Sequence, residues 1–116
     1  MNKHLTINYL EIPVRDLAKT KAFFNRVFSW EFVDYGENYT CFIHAGITGG
    51  FYASEQSFNL TKGSPLIVIY SSELEFTLAD IERAGGVITK AIFTFPGGRR
   101  FHFSDPNGNE YAVWSE

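Results

Sequence analysis

The chain contains two copies of one structural unit, because an offset of 57 residues brings its two halves into register. The matching positions are strand, helix-cap and helix-core positions, namely Leu10 and Ile67, Ile12 and Ile69, Asp16 and Glu73, Leu17 and Leu74, Thr20 and Thr77, Ala22 and Ala79, Phe24 and Ile81, and Arg26 and Arg83. Agreement at so many structurally different positions is hard to obtain by chance. A single unit would leave one sheet face uncovered, so we expect two units to pair.

Each copy is predicted to fold as a strand, a helix and three further strands. In the first copy the strand spans residues 5–14, Asp16 caps a helix that runs to about Phe28, and strands follow at about 31–35, 39–44 and 50–54. In the second copy the strand spans 66–70, the helix begins at Ser72 or Glu73 and runs to Ala84, and strands follow at 87–92, 100–103 and 110–114. The pattern predicts an α+β fold of two βαβββ modules in one domain, 1–116. Module 1 covers about 1–56 and module 2 about 64–116, with a polar linker over 55–64 and glycine turns at 48–50 and 96–98.

The amino-acid composition excludes several classes of function but does not point to one. The 116 residues are 45% hydrophobic, which is enough for one domain with its own core. The net charge of -3 gives no electrostatic case for binding nucleic acid or an anionic membrane. The single cysteine, Cys41, excludes an internal disulfide and favours a reducing, cytoplasmic setting. Cys41 lies in a strand and is expected to be a small buried hydrophobe. The N-terminus carries no long apolar run, so we expect neither a signal peptide nor a membrane helix there.

Strand parity predicts which side chains face away from the helices. Leu10 and Ile12 repeat as Ile67 and Ile69, so these residues face the helices and their neighbours face the opposite side. A three-residue hairpin loop at 106–108 pairs residue 103 with residue 111 and residue 100 with residue 114. The side chains on the opposite face that could contact a ligand are Tyr9, Glu11, Tyr70, Arg100, His102, Glu110 and Trp114.

Each candidate also has a simpler structural interpretation. Glu11 and His102 are the candidate acid-base groups, with Tyr9 or Tyr70 as acid or electrophile, although no catalytic residue is assigned. Glu11 would equally serve as a partner of Arg100 or of a tyrosine hydroxyl. His102 would equally be a hydrogen-bonded strand residue, and Arg100 part of a rim salt bridge. Tyr9, Tyr70 and Trp114 would form walls, Glu110 would lie on the surface, and the face of His44 cannot be assigned.

Three segments resemble the signatures of the vicinal oxygen chelate superfamily, which contains glyoxalases and bleomycin resistance proteins. The first is Tyr-Leu-Glu-Ile-Pro-Val-Arg-Asp-Leu at 9–17, followed by Ala-Phe-Phe at 22–24 and Val-Phe-Ser-Trp at 27–30. The others are Ala-Gly-Gly at 84–86 and Asp-Pro-Asn-Gly-Asn at 105–109. The resemblance spans nearly the whole chain. Within the superfamily, the chain resembles bacterial glyoxalase-related proteins of unassigned function. It departs from the family at Ser29, where glycine is usual. It implies mixed sheets curled into a cup, with helices on the convex side and the ligand on the concave side, and commonly a homodimer.

The resemblance also implies where a divalent metal ion would bind in metal-dependent relatives. Three of the four ligand positions correspond to Tyr9, Leu66 and Ala112. The fourth lies on the strand near Phe51 and Tyr52, where 49–54 contains no acidic residue and no histidine. Two aliphatic residues and a neutral tyrosine do not hold a divalent cation, so neither a metal nor another cofactor is expected.

Three functions remain, and the sequence does not name the ligand. The first is a metal-free binding protein that holds an aromatic or carboxylate-bearing small molecule in the cup. The second is a metal-independent isomerase or lyase acting beside a carbonyl, with Glu11 or His102 as the base. The third is a protein-interaction module whose cup is filled by its own side chains.

Overall fold

The computed structural model describes residues 2–116, which form two compact units that divide between Gln56 and Ser57. Each unit contains one α-helix and one four-stranded mixed sheet in βαβββ order. The predicted α+β fold of two such modules is therefore confirmed. Within residues 2–116 no helix is long and apolar enough to cross a lipid bilayer.

Unit 1 consists of β1 (Tyr9–Val14), α1 (Leu17–Phe28), β2 (Glu31–Asp34), β3 (Tyr39–Ile43) and β4 (Thr48–Ala53). The strand order in its sheet is β1-β4-β3-β2. β1 runs parallel to β4, whereas the other neighbouring strands are antiparallel.

Unit 2 begins with a short 3-10 helix (Leu60–Lys62) in the predicted linker. It continues with β5 (Ile67–Tyr70), α2 (Leu74–Arg83), β6 (Val87–Phe95), β7 (Gly98–Ser104) and β8 (Glu110–Ser115). The strand order is β5-β8-β7-β6, again with the first strand parallel to the last. The identical topology is the structural counterpart of the repeat seen in the sequence.

Helix α1 covers one face of the unit 1 sheet with aromatic rings. Asp16 caps the helix by accepting a hydrogen bond of 2.9 Å from the backbone N–H of Lys19, as its position predicted. The ring of Phe24 lies 4.8 Å from Trp30 and 5.4 Å from Phe51, and all three are buried. Since Phe51 pairs with Ile12, the even-numbered residues of β1 face the helix. The odd-numbered residues therefore face the other side.

The β7–β8 hairpin has the register that the sequence predicted. Phe103 pairs with Tyr111, and Arg100 pairs with Trp114. Gly108 has a φ of 84°, which is the left-handed conformation that such a loop requires at this position. This register places the fully buried rings on the helix side and alternate residues on the opposite side.

Several predicted boundaries in unit 1 were wrong. The first strand begins at Tyr9, which is the first residue with a partner on β4, rather than at residue 5. β3 ends before His44, whose φ of 66° cannot continue a strand. Thr48, Gly49 and Gly50 belong to a strand and not to a turn, because Gly49 pairs with Leu10 and Phe42.

Two strands of unit 2 are longer than predicted. β6 continues to Phe95 and β7 begins at Gly98, so the turn is reduced to two residues. Register shifts interrupt β6 between Ile88 and Lys90 and again before Phe93. These irregularities break the two-residue alternation by which a strand is identified in sequence.

Candidate functional site

The sheet face opposite the helix, here called the open face, carries a polar cluster in unit 1. Glu11 and Cys41 are both register partners of Gly50, and Tyr39 lies two residues before Cys41 on β3. Side chains two residues apart on a strand point to the same face. The cluster therefore consists of Tyr9, Glu11, Tyr39 and Cys41.

These four side chains form a hydrogen-bonded chain with a defined direction. Tyr39 Oη donates to Glu11 Oε2 over 2.9 Å. Tyr39 Oη also lies 2.5 Å from Tyr9 Oη, which lies 3.2 Å from Cys41 Sγ. Because the single hydroxyl hydrogen of Tyr39 is used on Glu11, Tyr9 must donate to Tyr39, and the Cys41 thiol must donate to Tyr9. The direction therefore runs from Cys41 to Glu11.

Both tyrosines are held in the neutral form. Burial raises the pKa of Tyr39, and its hydrogen bonds to Tyr9 and Glu11 raise it further. The hydrogen bond with Cys41 is the main cause that raises the pKa of Tyr9. The cluster can donate and relay protons, but it contains no activated phenolate near neutral pH.

Gly50 makes room for the Tyr39 ring. A Cβ atom at residue 50 would overlap the Oη, Cζ and Cε1 atoms of Tyr39. The absence of a side chain allows the phenol to lie across β4 and reach Glu11 on β1. Gly49 has a different role on the helix side, where a Cβ would overlap the backbone oxygen of Leu10 and the ring of Phe42.

The open face of unit 2 carries a carboxylate–imidazole pair. His102 is only 3% exposed, and its Nδ1 lies 3.4 Å from Glu110 Oε2. The other carboxylate oxygen of Glu110 accepts a 2.9 Å hydrogen bond from the backbone N–H of Leu60. Glu110 is thus oriented by the linker and in turn orients His102, rather than being a free surface residue.

The imidazole of His102 is neutral near pH 7. Burial lowers its pKa, and the positive charges of Arg100 and Lys90 act in the same direction, although Glu110 opposes them. A neutral imidazole that faces a carboxylate through Nδ1 carries its proton there. His102 Nε2 is buried and has no hydrogen-bond partner among residues 2–116.

Arg100 lines a shallow open depression of about 240 Å³ together with Val68, Phe95 and Trp114. Its guanidinium carbon lies 5.3 Å from the ring centre of Phe93 and 5.6 Å from that of Phe95. Arg100 Nε is buried without a hydrogen-bond partner in the described part of the chain. The neighbouring Arg99 differs, since it forms an exposed ion pair with Glu75.

Tyr70 and Trp114 contact each other beside this depression. Their ring centres are 5.2 Å apart in an edge-to-face arrangement. Tyr70 Oη donates to Glu116 Oε1 over 2.7 Å, and this hydrogen bond raises the pKa of Tyr70. Trp114 lines the depression, and Tyr70 packs against the Trp114 ring.

The structure groups the seven sequence-predicted residues by unit. Tyr9 and Glu11 are joined through Tyr39 in unit 1. In unit 2, contacts join His102 with Glu110 and Tyr70 with Trp114, and Arg100 lies opposite Trp114 in the register.

Sequence reasoning missed some members of these clusters and misjudged others. Tyr39 alternates with the buried Thr40 and Phe42, a pattern that could have placed it on the open face. Phe93 could not be placed, because the irregularities of β6 hide its parity. Cys41 is half-buried and hydrogen-bonded, so its expected role as a buried hydrophobe was wrong. His44 Nε2 lies 3.3 Å from Glu31 Oε1 at an exposed position.

The model of a known protein family matches almost the whole chain. The model of the Glyoxalase/Bleomycin resistance protein/Dioxygenase superfamily covers residues 6–113. The chain belongs to this superfamily. The resemblance read from the three sequence segments is thereby confirmed. No curated protein matches the chain.

Several solved structures share the fold of this chain at low sequence identity. A glyoxalase-related enzyme from Fulvimarina pelagi is 17% identical with a TM-score of 0.79, over 97% of this chain and 88% of that one. A glyoxalase/bleomycin resistance protein/dioxygenase family enzyme from Burkholderia phytofirmans PsJN is 18% identical with a TM-score of 0.79, over 93% and 96%. The fosfomycin resistance protein FosX from Listeria monocytogenes is 21% identical with a TM-score of 0.76, over 100% and 95%.

The positions that the resemblance identified as metal ligands do not fit a metal ion. The register completes the set of four. Ala112 pairs with Val68, and the repeat mate of Val68 is Glu11, which pairs with Gly50. The fourth position of the set is therefore Gly50, in addition to Tyr9, Leu66 and Ala112. Three of these four residues, Gly50, Leu66 and Ala112, have no side-chain atom that can coordinate a cation. Across residues 2–116, no three His, Cys, Asp or Glu side chains group so as to hold a metal.

Proposed function

We propose that the protein is a small cytoplasmic binding protein that holds an aromatic carboxylate, or a similar apolar anion, on Arg100 without a metal ion. The observation that carries this proposal is the Arg100 guanidinium, which lines an open depression and has no carboxylate partner among residues 2–116. Phe95 and Trp114 supply apolar area, and a planar guanidinium binds carboxylates with two parallel hydrogen bonds. Such a ligand would be sequestered or carried, as the bleomycin-resistance type of function requires.

Binding of matched anionic and neutral probes tests this proposal. Benzoate and benzamide have the same shape, but only benzoate carries the charge that Arg100 would recognise. In NMR-detected titrations we expect benzoate to bind and benzamide to bind at least tenfold more weakly. Arg100→Met should abolish this preference while leaving the melting temperature nearly unchanged, since no structural ion pair is lost.

Arg99→Met is the matched control. It removes the same charge from the adjacent residue, where the partner is Glu75. This variant should bind benzoate as the unmodified protein does. Equal binding of benzoate by the Arg100→Met variant, or equal binding of the two probes, would show that Arg100 is part of the scaffold.

The metal-free part of the proposal rests on Gly50, Leu66 and Ala112, which offer no side-chain ligand at three of the family's four metal positions. Elemental analysis of purified protein should find less than a stoichiometric amount of divalent metal, and chelation should leave benzoate binding intact. One zinc, nickel, iron or manganese ion per chain would contradict this expectation.

A second candidate function, a metal-independent isomerase or lyase, is favoured by the hydrogen-bonded cluster of unit 1. Glu11 would abstract a proton beside a carbonyl, and once Glu11 is protonated the hydroxyl hydrogen of Tyr39 would turn from Glu11 to the developing oxyanion. The test is exchange of α-hydrogens of 2-oxo acids and aryl ketones in D2O, followed by NMR. Catalysed exchange that Glu11→Gln abolishes would support this function, whereas no exchange above the buffer rate would count against it.

A further inference from the structure

We infer that the open face of unit 2 around Arg100 and His102 selects ligands that carry both an anionic group and a hydrogen-bond donor. The reason is that Glu110 holds His102 in the tautomer whose Nε2 only accepts hydrogen bonds. The inference rests on the proposed function and deepens it. It narrows the ligand class to aryl carboxylates that also bear a hydroxyl or amino group.

The tautomer follows from the contacts of Glu110. One carboxylate oxygen accepts from the backbone of Leu60 at 2.9 Å, and the other lies 3.4 Å from His102 Nδ1. Because a carboxylate offers only acceptors, the shared proton lies on Nδ1. His102 Nε2 therefore presents a lone pair and no hydrogen.

Two buried polar atoms on the open face of unit 2 lack hydrogen-bond partners in the described chain, and one is a donor whereas the other is an acceptor. Arg100 Nε is a donor and His102 Nε2 is an acceptor, and neither has a hydrogen-bond partner among residues 2–116. A buried polar atom without a partner destabilises the fold, so such atoms indicate a ligand or another group that satisfies them. A ligand that satisfies both must present an acceptor to Arg100 and a donor to His102.

The spacing of the two residues sets the shape of the ligand. Arg100 and His102 lie two positions apart on one face of β7, which is about 7 Å along the strand. The aromatic rings of Phe93 and Phe95 flank Arg100. A flat aromatic spacer with the anion at one end and the donor at the other would span this distance.

Three probes separate the donor from the rest of the ligand. 4-Hydroxybenzoate carries an anion and a donor, 4-methoxybenzoate replaces the donor with an acceptor, and benzoate has neither. We expect 4-hydroxybenzoate to bind about five- to tenfold more tightly than the other two, the ratio that one net hydrogen bond provides. Affinities are measured by titration calorimetry or NMR on the full chain at pH 7.5.

Glu110→Gln gives a sharper test, because it should reverse the tautomer. The amide oxygen would keep the hydrogen bond from Leu60, which leaves the amide NH2 group to donate to His102 Nδ1. The imidazole proton then moves to Nε2, so the preference for 4-hydroxybenzoate over 4-methoxybenzoate should disappear or invert. Imidazole 15N chemical shifts report the same change without any ligand.

His102→Phe and Arg100→Met are the matched controls. His102→Phe should bind all three probes with the affinity that benzoate has for the unmodified protein. Arg100→Met should weaken all three probes alike and leave the imidazole shifts unchanged.

The outcomes distinguish this inference from the proposal on which it rests. Failure of all three probes to bind would overturn the proposed function and the selectivity together. Equal binding of the three probes, or 15N shifts that place the proton on Nε2 in the unmodified protein, would overturn only the inference about His102.

Discussion

His102 shows how burial changes the chemistry of one residue. The sequence identified it as an open-face histidine, and the structure adds a carboxylate at Nδ1 and a pKa below the ordinary value. The shift has a consequence for folding. Well above pH 6.5 both the folded and the unfolded chain carry a neutral His102, so the group contributes nothing to the pH dependence there. As the pH falls, the unfolded chain takes up a proton first, and stability is lost until the pH passes the folded-state pKa.

We therefore predict that the free energy of unfolding falls between pH 7.5 and pH 5.5, and that His102→Gln removes much of this decrease. Urea unfolding at both pH values measures the effect as a difference, so any general destabilisation by the substitution cancels. His44→Gln is the control, because it removes an exposed histidine beside Glu31 and should leave the decrease attributable to His102. An unchanged decrease in the His102→Gln variant would mean that other groups cause it.

At the scale of the element, β4 decides the geometry of the unit 1 cluster through its paired glycines. Gly49 lets Phe42 pack on the helix side, and Gly50 lets the Tyr39 ring cross the strand on the open face. The atoms that meet a Cβ at residue 50 belong to the end of a side chain, whereas at residue 49 they include the backbone oxygen of Leu10. A side chain can move aside more easily than a backbone.

This difference predicts a coupling between Gly50 and Tyr39. Gly50→Ala should displace the phenol and cost about 1–2 kcal/mol of stability, roughly the value of the hydrogen bonds lost. In a Tyr39→Ala background the same substitution should be neutral or stabilising, since alanine is favoured over glycine in a strand. Gly49→Ala should destabilise both backgrounds alike. A cost for Gly50→Ala that is independent of Tyr39 in urea unfolding would show that the ring does not depend on this glycine.

At the scale of the whole molecule, we predict a homodimer. Each four-stranded sheet ends in edge strands, and such strands are prone to pair with another chain. Large apolar side chains are also exposed, including Leu5 at 91%, Ile7 at 85% and Phe76 at 65%. Sedimentation velocity at low micromolar concentration should give twice the 13.2 kDa mass of one chain. A clean monomer mass across that range would contradict the prediction.

The sequence by itself determined the repeat, the order of elements and the faces of the regular strands. These properties follow from local periodicity, and one turn, at 106–108, was enough to set the register of a hairpin correctly. The same parity argument selected Glu11, Arg100 and His102 for the open face. The residue types at three of the family's four metal positions were likewise legible in the sequence, because a side chain's coordinating atoms do not depend on the fold.

Only the tertiary structure decided which open-face residues interact. Whether Glu11 pairs with a tyrosine depended on Tyr39 crossing Gly50, and the register between non-adjacent segments set that contact. The orientation of Glu110 toward His102 depended on the backbone N–H of Leu60, which lies in a linker segment that has no periodicity to interpret. The irregular β6 placed Phe93 and Phe95 around Arg100 in a way that alternation cannot predict. Sequence periodicity determines which face of a sheet a side chain lies on, whereas the contacts of that side chain depend on the strands and loops that pack beside it.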